Sequence, residues 1–347
     1  MNRDTSVDAL RAVAVAGVVL GHWLVSAVVS DPYDTSALHG ESPLQHAPYL
    51  APASWLFQTL GLFFFASGFA ATRRKTSSGK PRKQRRLLVP VLILAAVWLP
   101  ALGILKAAGA PDTTTHVVES LVTHPLWFLA AYLVLTAAAP ALKRLVRTAG
   151  APAVLLPLLF VVLTDAFRED GLPEWWRLTM VPVAWSVPYL LGIALAQERL
   201  SPRHGPLLAV SGLAGGALLL TVAGYPPSAV GVPGDRFSNL DPPSLAAMSL
   251  VMLQIGMYLM LRDRLRHTPA TAAVTGTLNR HALSIFLWHQ PALLLVTFAA
   301  LAAGRPAGLL DAPDGAWVLH RLPWLPVFAI ALTALTWVFH RYERRTR

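Results

Sequence analysis

Apolar runs of about 17–22 residues recur along the whole chain, and this repetition limits its fold more than any other feature. A helix of roughly 20 residues is as long as the hydrocarbon core of a bilayer is thick. Lipid offers no partner to a backbone amide, so only helices or closed barrels can span it. The ten-residue alternating strands that a barrel requires are absent from the sequence. Ten spans are predicted, at about 9–30, 54–72, 87–106, 125–141, 151–165, 181–196, 207–223, 243–261, 282–303 and 322–340. Those at 151–165 and 181–196 are short and carry Pro152, Pro157, Pro182 and Pro188, which a membrane bundle tolerates. The expected fold class is all-α, a polytopic membrane protein of about ten transmembrane helices. The 54 % hydrophobic and 14 % charged composition fits it.

A net charge of +11 would suggest a nucleic-acid partner in a soluble chain. Here the charges fall in short loops between apolar runs, so topology explains them first, and no nucleic acid is expected. With the N-terminus inside, the inner segments hold 23 of the 29 Lys and Arg. Lys106, Arg168, Arg177, Arg236, Arg305 and Arg321 fall outside. That bias follows the positive-inside rule and places both termini in the cytoplasm. The first run is too long for a signal-peptide core and reads as a retained helix. One integral-membrane domain is expected over 1–347, with no appended soluble domain and no internal repeat. The absence of cysteine excludes disulfides, thiolate metal sites and a Cys acyl intermediate. No metal-ligand spacing is present: His39 and His46 lie seven apart in a polar loop without further ligands.

Charged or ionisable side chains inside a membrane span are costly, and they mark functional sites by default. The first span contains two, Arg11 and His22. Eleven positions make close to three helical turns, so both side chains share one face, about 16 Å apart along the axis. Asp8, three residues before Arg11, lies on that face as well. The expectation puts Arg11 near the cytoplasmic surface and His22 near mid-membrane. Structural alternatives are an ion pair between Asp8 and Arg11 and an interhelical hydrogen bond from His22.

Several stretches occur together in a characteristic order. Asp8-Ala-Leu-Arg11, then ten residues and His22, is followed by Phe63-Phe-Phe-Ala-Ser67-Gly68-Phe69. Then come Arg85-Arg86-Leu-Leu-Val-Pro90, Pro125-Leu126-Trp127-Phe128-Leu129, Pro188-Tyr-Leu-Leu-Gly192, Ser284-Ile-Phe-Leu-Trp-His289 and finally Glu343. In this order and spacing the chain resembles the membrane-bound acyltransferase type 3 family from residue 8 to 343. It departs at its end, where Arg344 stands in place of a common proline.

The resemblance implies transfer of an acyl group, most often acetyl, from cytoplasmic acyl-CoA. The acceptor would be a hydroxyl of a carbohydrate-containing, lipid-linked or small-molecule compound. It implies acetyl-CoA as co-substrate, no metal, and residence in the cell membrane as a multi-pass protein of the cell envelope. His22 would act as general base, or would first carry the acyl group covalently; the residues leave both routes open. Arg11 would bind and position the donor, with Arg86 and Arg85 at its phosphates. The basic stretch 73–86 suits a pyrophosphate, since guanidinium groups fork onto phosphate oxygens, though any inner loop can be basic for topology or for anionic lipid. Ser67, Trp127 and His289 are candidates for substrate contact. Their structural alternatives are close helix packing for Ser67, an interface anchor for Trp127 and a buried polar pair for His289. From another class, a transporter or flippase for a polar metabolite would also carry a buried Arg and His. Membrane lipid is an expected partner, and the oligomeric state is left open.

Overall fold

The computed structural model describes residues 4–31, 33–34, 36–73, 80–168, 171–266 and 272–345, the side chains of 80–87, 266, 272–273 and 343–345 excepted. Among the described residues, nine helices are long and apolar enough to cross a membrane. A further apolar helix, Ala151–Ala166, is shorter and takes the place of the span expected at 151–165. The protein is therefore a multi-pass, largely helical membrane protein, and the expectation of about ten spans is close. The sheet described is a single two-stranded one.

Several boundaries differ from expectation, and three of the differences have a clear cause. The first helix, α1, covers Thr5–Val25, and the chain then turns into strand β1, Ala27–Ser30. This strand pairs antiparallel with β2, Leu38–Glu41, in the register Ala27↔Glu41 to Ser30↔Leu38. The apolar run thus continues past the helix because Val28 and Val29 are buried strand residues. Ahead of the expected fourth span stands an amphipathic helix, Asp112–Thr123, that buries Thr114, Thr115, Val117, Val118 and Val122 at helical spacing. Its polar face hid it from a search for apolar runs. The sixth span starts earlier than expected, at Glu174, just after Pro173, and the acid in its first turn suits the helix dipole.

The chain forms two compact units. One comprises Met1–Val18, Leu50–Thr76 and Phe128–Asn279. Its centre is the crossing of helix α2, Leu60–Arg73, with helix α3, Glu174–Ala196. A Cβ at Gly68 would overlap the Tyr189 carbonyl, and a Cβ at Gly192 would overlap the Phe65 carbonyl. The two backbones therefore touch, as small residues allow in membrane helix pairs. Around the crossing Phe64 stacks on Trp185 with ring centroids 5.2 Å apart. The Thr59 hydroxyl donates to the Ala14 carbonyl of α1 at 2.8 Å. At the start of α1, Asp4 accepts from the Ser6 amide at 3.2 Å and pairs with Arg262 at 2.8 Å.

The long connection 222–244 in this unit is fastened by a buried ion pair. Arg168 meets Asp165 at 2.7 Å, both side chains being 5 % exposed. The other oxygen of Asp165 accepts from the Tyr225 hydroxyl at 2.8 Å and from the Leu245 amide at 2.7 Å. Arg168 also donates to the Ser238 and Pro242 carbonyls and lies over the Phe237 ring. Burial and the Asp165 carboxylate raise the Tyr225 phenol above its usual range, so it stays a donor.

The second unit comprises Val19–Tyr49, Ser77–Trp127 and Arg280–Arg347. Its core contains Trp23, Val28, Leu38, Val118, Leu287, Trp288, Leu293, Leu309 and Phe328. The hairpin is tied in by Thr114, whose hydroxyl accepts from the Leu38 amide at 2.8 Å and donates to the Ser36 carbonyl at 2.6 Å.

The crossing of α2 and α3 makes a direct prediction. Gly192→Val should lower thermal stability in detergent by the amount expected of overpacking, about 1–3 kcal/mol or more. Gly103→Ala, where an added Cβ meets nothing within 4 Å, should be neutral or slightly stabilising. Equal melting temperatures for Gly192→Val and wild type would contradict the crossing.

Candidate active site

His22 stands in the last turn of α1 rather than in its middle, because the helix starts at Thr5 and ends at Val25. In the second unit it is met by two more imidazoles. The His289 ring lies 5.1 Å from it, centroid to centroid, and the His124 ring 5.8 Å, edge on. His289 comes from the helix Ala272–Ala302, and His124 from the turn between Asp112–Thr123 and Leu126–Ala149. The Gln290 amide nitrogen lies 3.4 Å from His22 Nδ1 and 3.5 Å from Ser26 Oγ.

Each ring has a different setting. His22 is half-buried and His124 is exposed, so the cluster has an open side at His124. His289 is fully buried. Its Nδ1–H donates to the Phe286 carbonyl at 2.6 Å, one turn back, which leaves Nε2 as a bare acceptor with no partner. Among the described residues, no group of three or more His, Asp or Glu is arranged to hold a metal ion.

The turn that carries His22 is gripped from two directions. The Trp23 indole donates to the His289 carbonyl at 3.0 Å. Arg321, with no exposed surface, donates to the Trp23 carbonyl at 2.9 Å, the Ser26 carbonyl at 2.9 Å and the Gly308 carbonyl at 2.8 Å. A helix end leaves its last carbonyls without intrahelical partners, and a cation at that end also suits the helix dipole. Arg321 meets both needs. Its guanidinium lies between the Phe328 ring, 4.7 Å away, and the Trp317 ring, 5.0 Å away.

The predicted residues separate as follows. His22 and His289 come together in the second unit. Trp127, in the same unit, is half-buried in the first turn of Leu126–Ala149. Arg11 and Ser67 belong to the first unit, both half-buried. The Arg11 guanidinium lies 5.4 Å from the centre of the Phe63 ring, and Phe63 packs edge-on against Phe128 at 4.9 Å. The side chains of Arg85, Arg86 and Glu343 lie outside the described residues. Sequence reasoning did not find His124, Ser26, Gln290 or Arg321 as parts of the cluster. Gln290 and His124 had a signal, since each lies next to a quoted motif. Arg321 had only its position just before the last apolar run, where it was counted as a loop charge.

A membrane helix carrying a histidine held by buried polar groups fits more than one class of protein, and comparison with known families decides between them. The family model for the acyltransferase domain of type 3 matches residues 4–341, nearly the whole chain. The chain belongs to this acyltransferase family. No curated protein and no solved structure matches it. The acyltransferase is thus an enzyme that takes an acyl group from a donor to an acceptor, which sets aside the transporter alternative.

Replacing Arg321 tests the grip on the His22 turn. Arg321→Leu should unpair two buried carbonyls, each worth about 1–3 kcal/mol, and a third that is part-buried, and should sharply reduce the folded yield. Arg321→Lys, which keeps the charge but lacks the fork, should fall between that variant and wild type in thermal unfolding. If Leu and Lys variants melt with wild type, the guanidinium does not hold the turn.

Proposed function

We propose that the protein is a membrane O-acyltransferase of the cell membrane, acting on the cell envelope. It moves an acyl group, acetyl in the first instance, from cytoplasmic acyl-CoA to a hydroxyl of a carbohydrate-containing, lipid-linked or small-molecule acceptor. The observation that carries the reading is His22, a half-buried imidazole at the end of a membrane helix, with two further imidazoles and an amide around it.

His22 takes the proton of the acceptor hydroxyl as its oxygen bonds to the thioester carbonyl. The carbon–sulfur bond then breaks, and the coenzyme A thiolate recovers the proton from the imidazolium. General-base help of this kind contributes typically about 10²–10⁴-fold. The two-step route, with the acyl group first on His22 and then on the acceptor, uses the same residue and the same net exchange. Arg11, three helical turns earlier on α1, binds and positions the donor, and Arg85 and Arg86 serve its phosphates. Ser67, Trp127 and His289 contact substrate; the bare Nε2 of His289 supports its part, because it can accept a hydroxyl proton.

His22→Ala should abolish release of free coenzyme A and formation of acylated product from acyl-CoA and cell-envelope extract, while insertion and melting stay near wild type. Arg11→Ala should mainly raise the apparent KM for the donor. Undiminished turnover in His22→Ala would remove the proposed base, and an unchanged donor KM in Arg11→Ala would remove the second assignment.

A further inference from the structure

An imidazole can act as a base only at the nitrogen without a proton, so the reading above raises the question of what fixes the tautomer of His22. Nδ1 has one near polar neighbour, the Gln290 amide, which is 1 % exposed. With the amide nitrogen turned toward Nδ1 and Ser26, the amide oxygen is buried without any partner. Exchanging the nitrogen and oxygen of a glutamine amide leaves its heavy-atom shape unchanged, and the hydrogen-bond network chooses between the two. In the exchanged arrangement the oxygen faces two donors, the His22 Nδ1–H and the Ser26 hydroxyl, and each of its lone pairs is used. The starting arrangement instead makes Nδ1 an acceptor and puts the proton on Nε2, so of the two only the exchanged one leaves Nε2 free to act as a base.

We propose that Gln290 is a positioning residue whose amide oxygen accepts the Nδ1–H of His22, leaving Nε2 bare to take the acceptor's proton. The proposal rests on the acyl-transfer reading of His22. Its geometry is independent of that reading, because both sides of the pair are anchored separately. Gln290 follows His289, whose carbonyl accepts the Trp23 indole N–H and whose ring is fixed on Phe286. Ser26 is held through its carbonyl by Arg321. Neither the amide nor the α1 turn can drift without breaking those bonds. Among the described residues, the other titratable side chains that meet His22 are His289 and His124, each ring against ring. A glutamine is suited to this duty in an apolar setting, because it orients the imidazole without adding a buried charge.

The test reads the tautomer itself. The chain is labelled with ¹⁵N-histidine, reconstituted in lipid nanodiscs, and the His22 imidazole signals are found by difference from His22→Asn. Wild type should show His22 protonated at Nδ1, without any substrate present. Gln290→Leu should move it toward the Nε2–H form and lower kcat about 10- to 100-fold, with donor KM within about twofold. Gln290→Glu, whose carboxylate still accepts Nδ1–H, should recover both the tautomer and most of kcat. A wild-type His22 found as the Nε2–H form overturns the proposal, as does Gln290→Leu with unaltered tautomer and kcat. Since the NMR readout needs no turnover, it stands apart from the acyl-transfer reading, which fails instead if His22→Ala still releases coenzyme A.

Discussion

A helix that ends inside an apolar bundle must give its last carbonyls a partner, and at the end of α1 that partner is a guanidinium. Arg321 reaches two carbonyls of the α1 terminus and one of the segment before its own helix, so two pieces of chain converge on one side chain. Water would do the same work at a surface end. Here the burial that makes each hydrogen bond strong also makes its loss expensive. The consequence for the chemistry is placement: His22 sits one residue before a carbonyl that Arg321 holds. An imidazole on a frayed last turn would sample many positions, whereas this one is carried by a turn anchored at Trp23 and Ser26.

Much of the architecture was legible because hydropathy is a local property. Long apolar runs with charges between them give a membrane bundle whatever the tertiary detail. The hairpin was not legible for the same reason: Ala27-Val-Val-Ser30 continues the apolar run of α1, and only its pairing with Leu38–Glu41 makes it a strand. The helix Asp112–Thr123 was missed because it buries a stripe rather than a full circumference. Motifs read as possible chemistry turned out partly to be packing. Gly68 beside Ser67, and Gly192 at the end of the Pro188 stretch, are where two backbones meet.

The site was half legible. His22 could be singled out because an imidazole in a membrane span is costly, and that argument needs no neighbours. His289 was singled out as well, but not as a neighbour of His22, and Gln290 and His124 were missed, since all three come from segments far away in sequence and nothing in a list of residues says which helices adjoin. Two of the arginines counted as outer loop charges have a packing role besides. Arg168 and Arg321 are buried and hydrogen-bonded within their own units, so their positions follow from carbonyls rather than from the side of the membrane. Without them the outer set shrinks to Lys106, Arg177, Arg236 and Arg305, and the charge imbalance between the two sides becomes steeper.

The touching glycines carry a mechanical meaning. Where side chains separate two helices, the pair can slide by small rotamer changes. Where main chain rests on main chain, as between Gly68 and Tyr189 and between Gly192 and Phe65, no such lubricating layer exists. Helices α2 and α3 therefore form one strut, and Ser67 and Tyr189 are fixed on it.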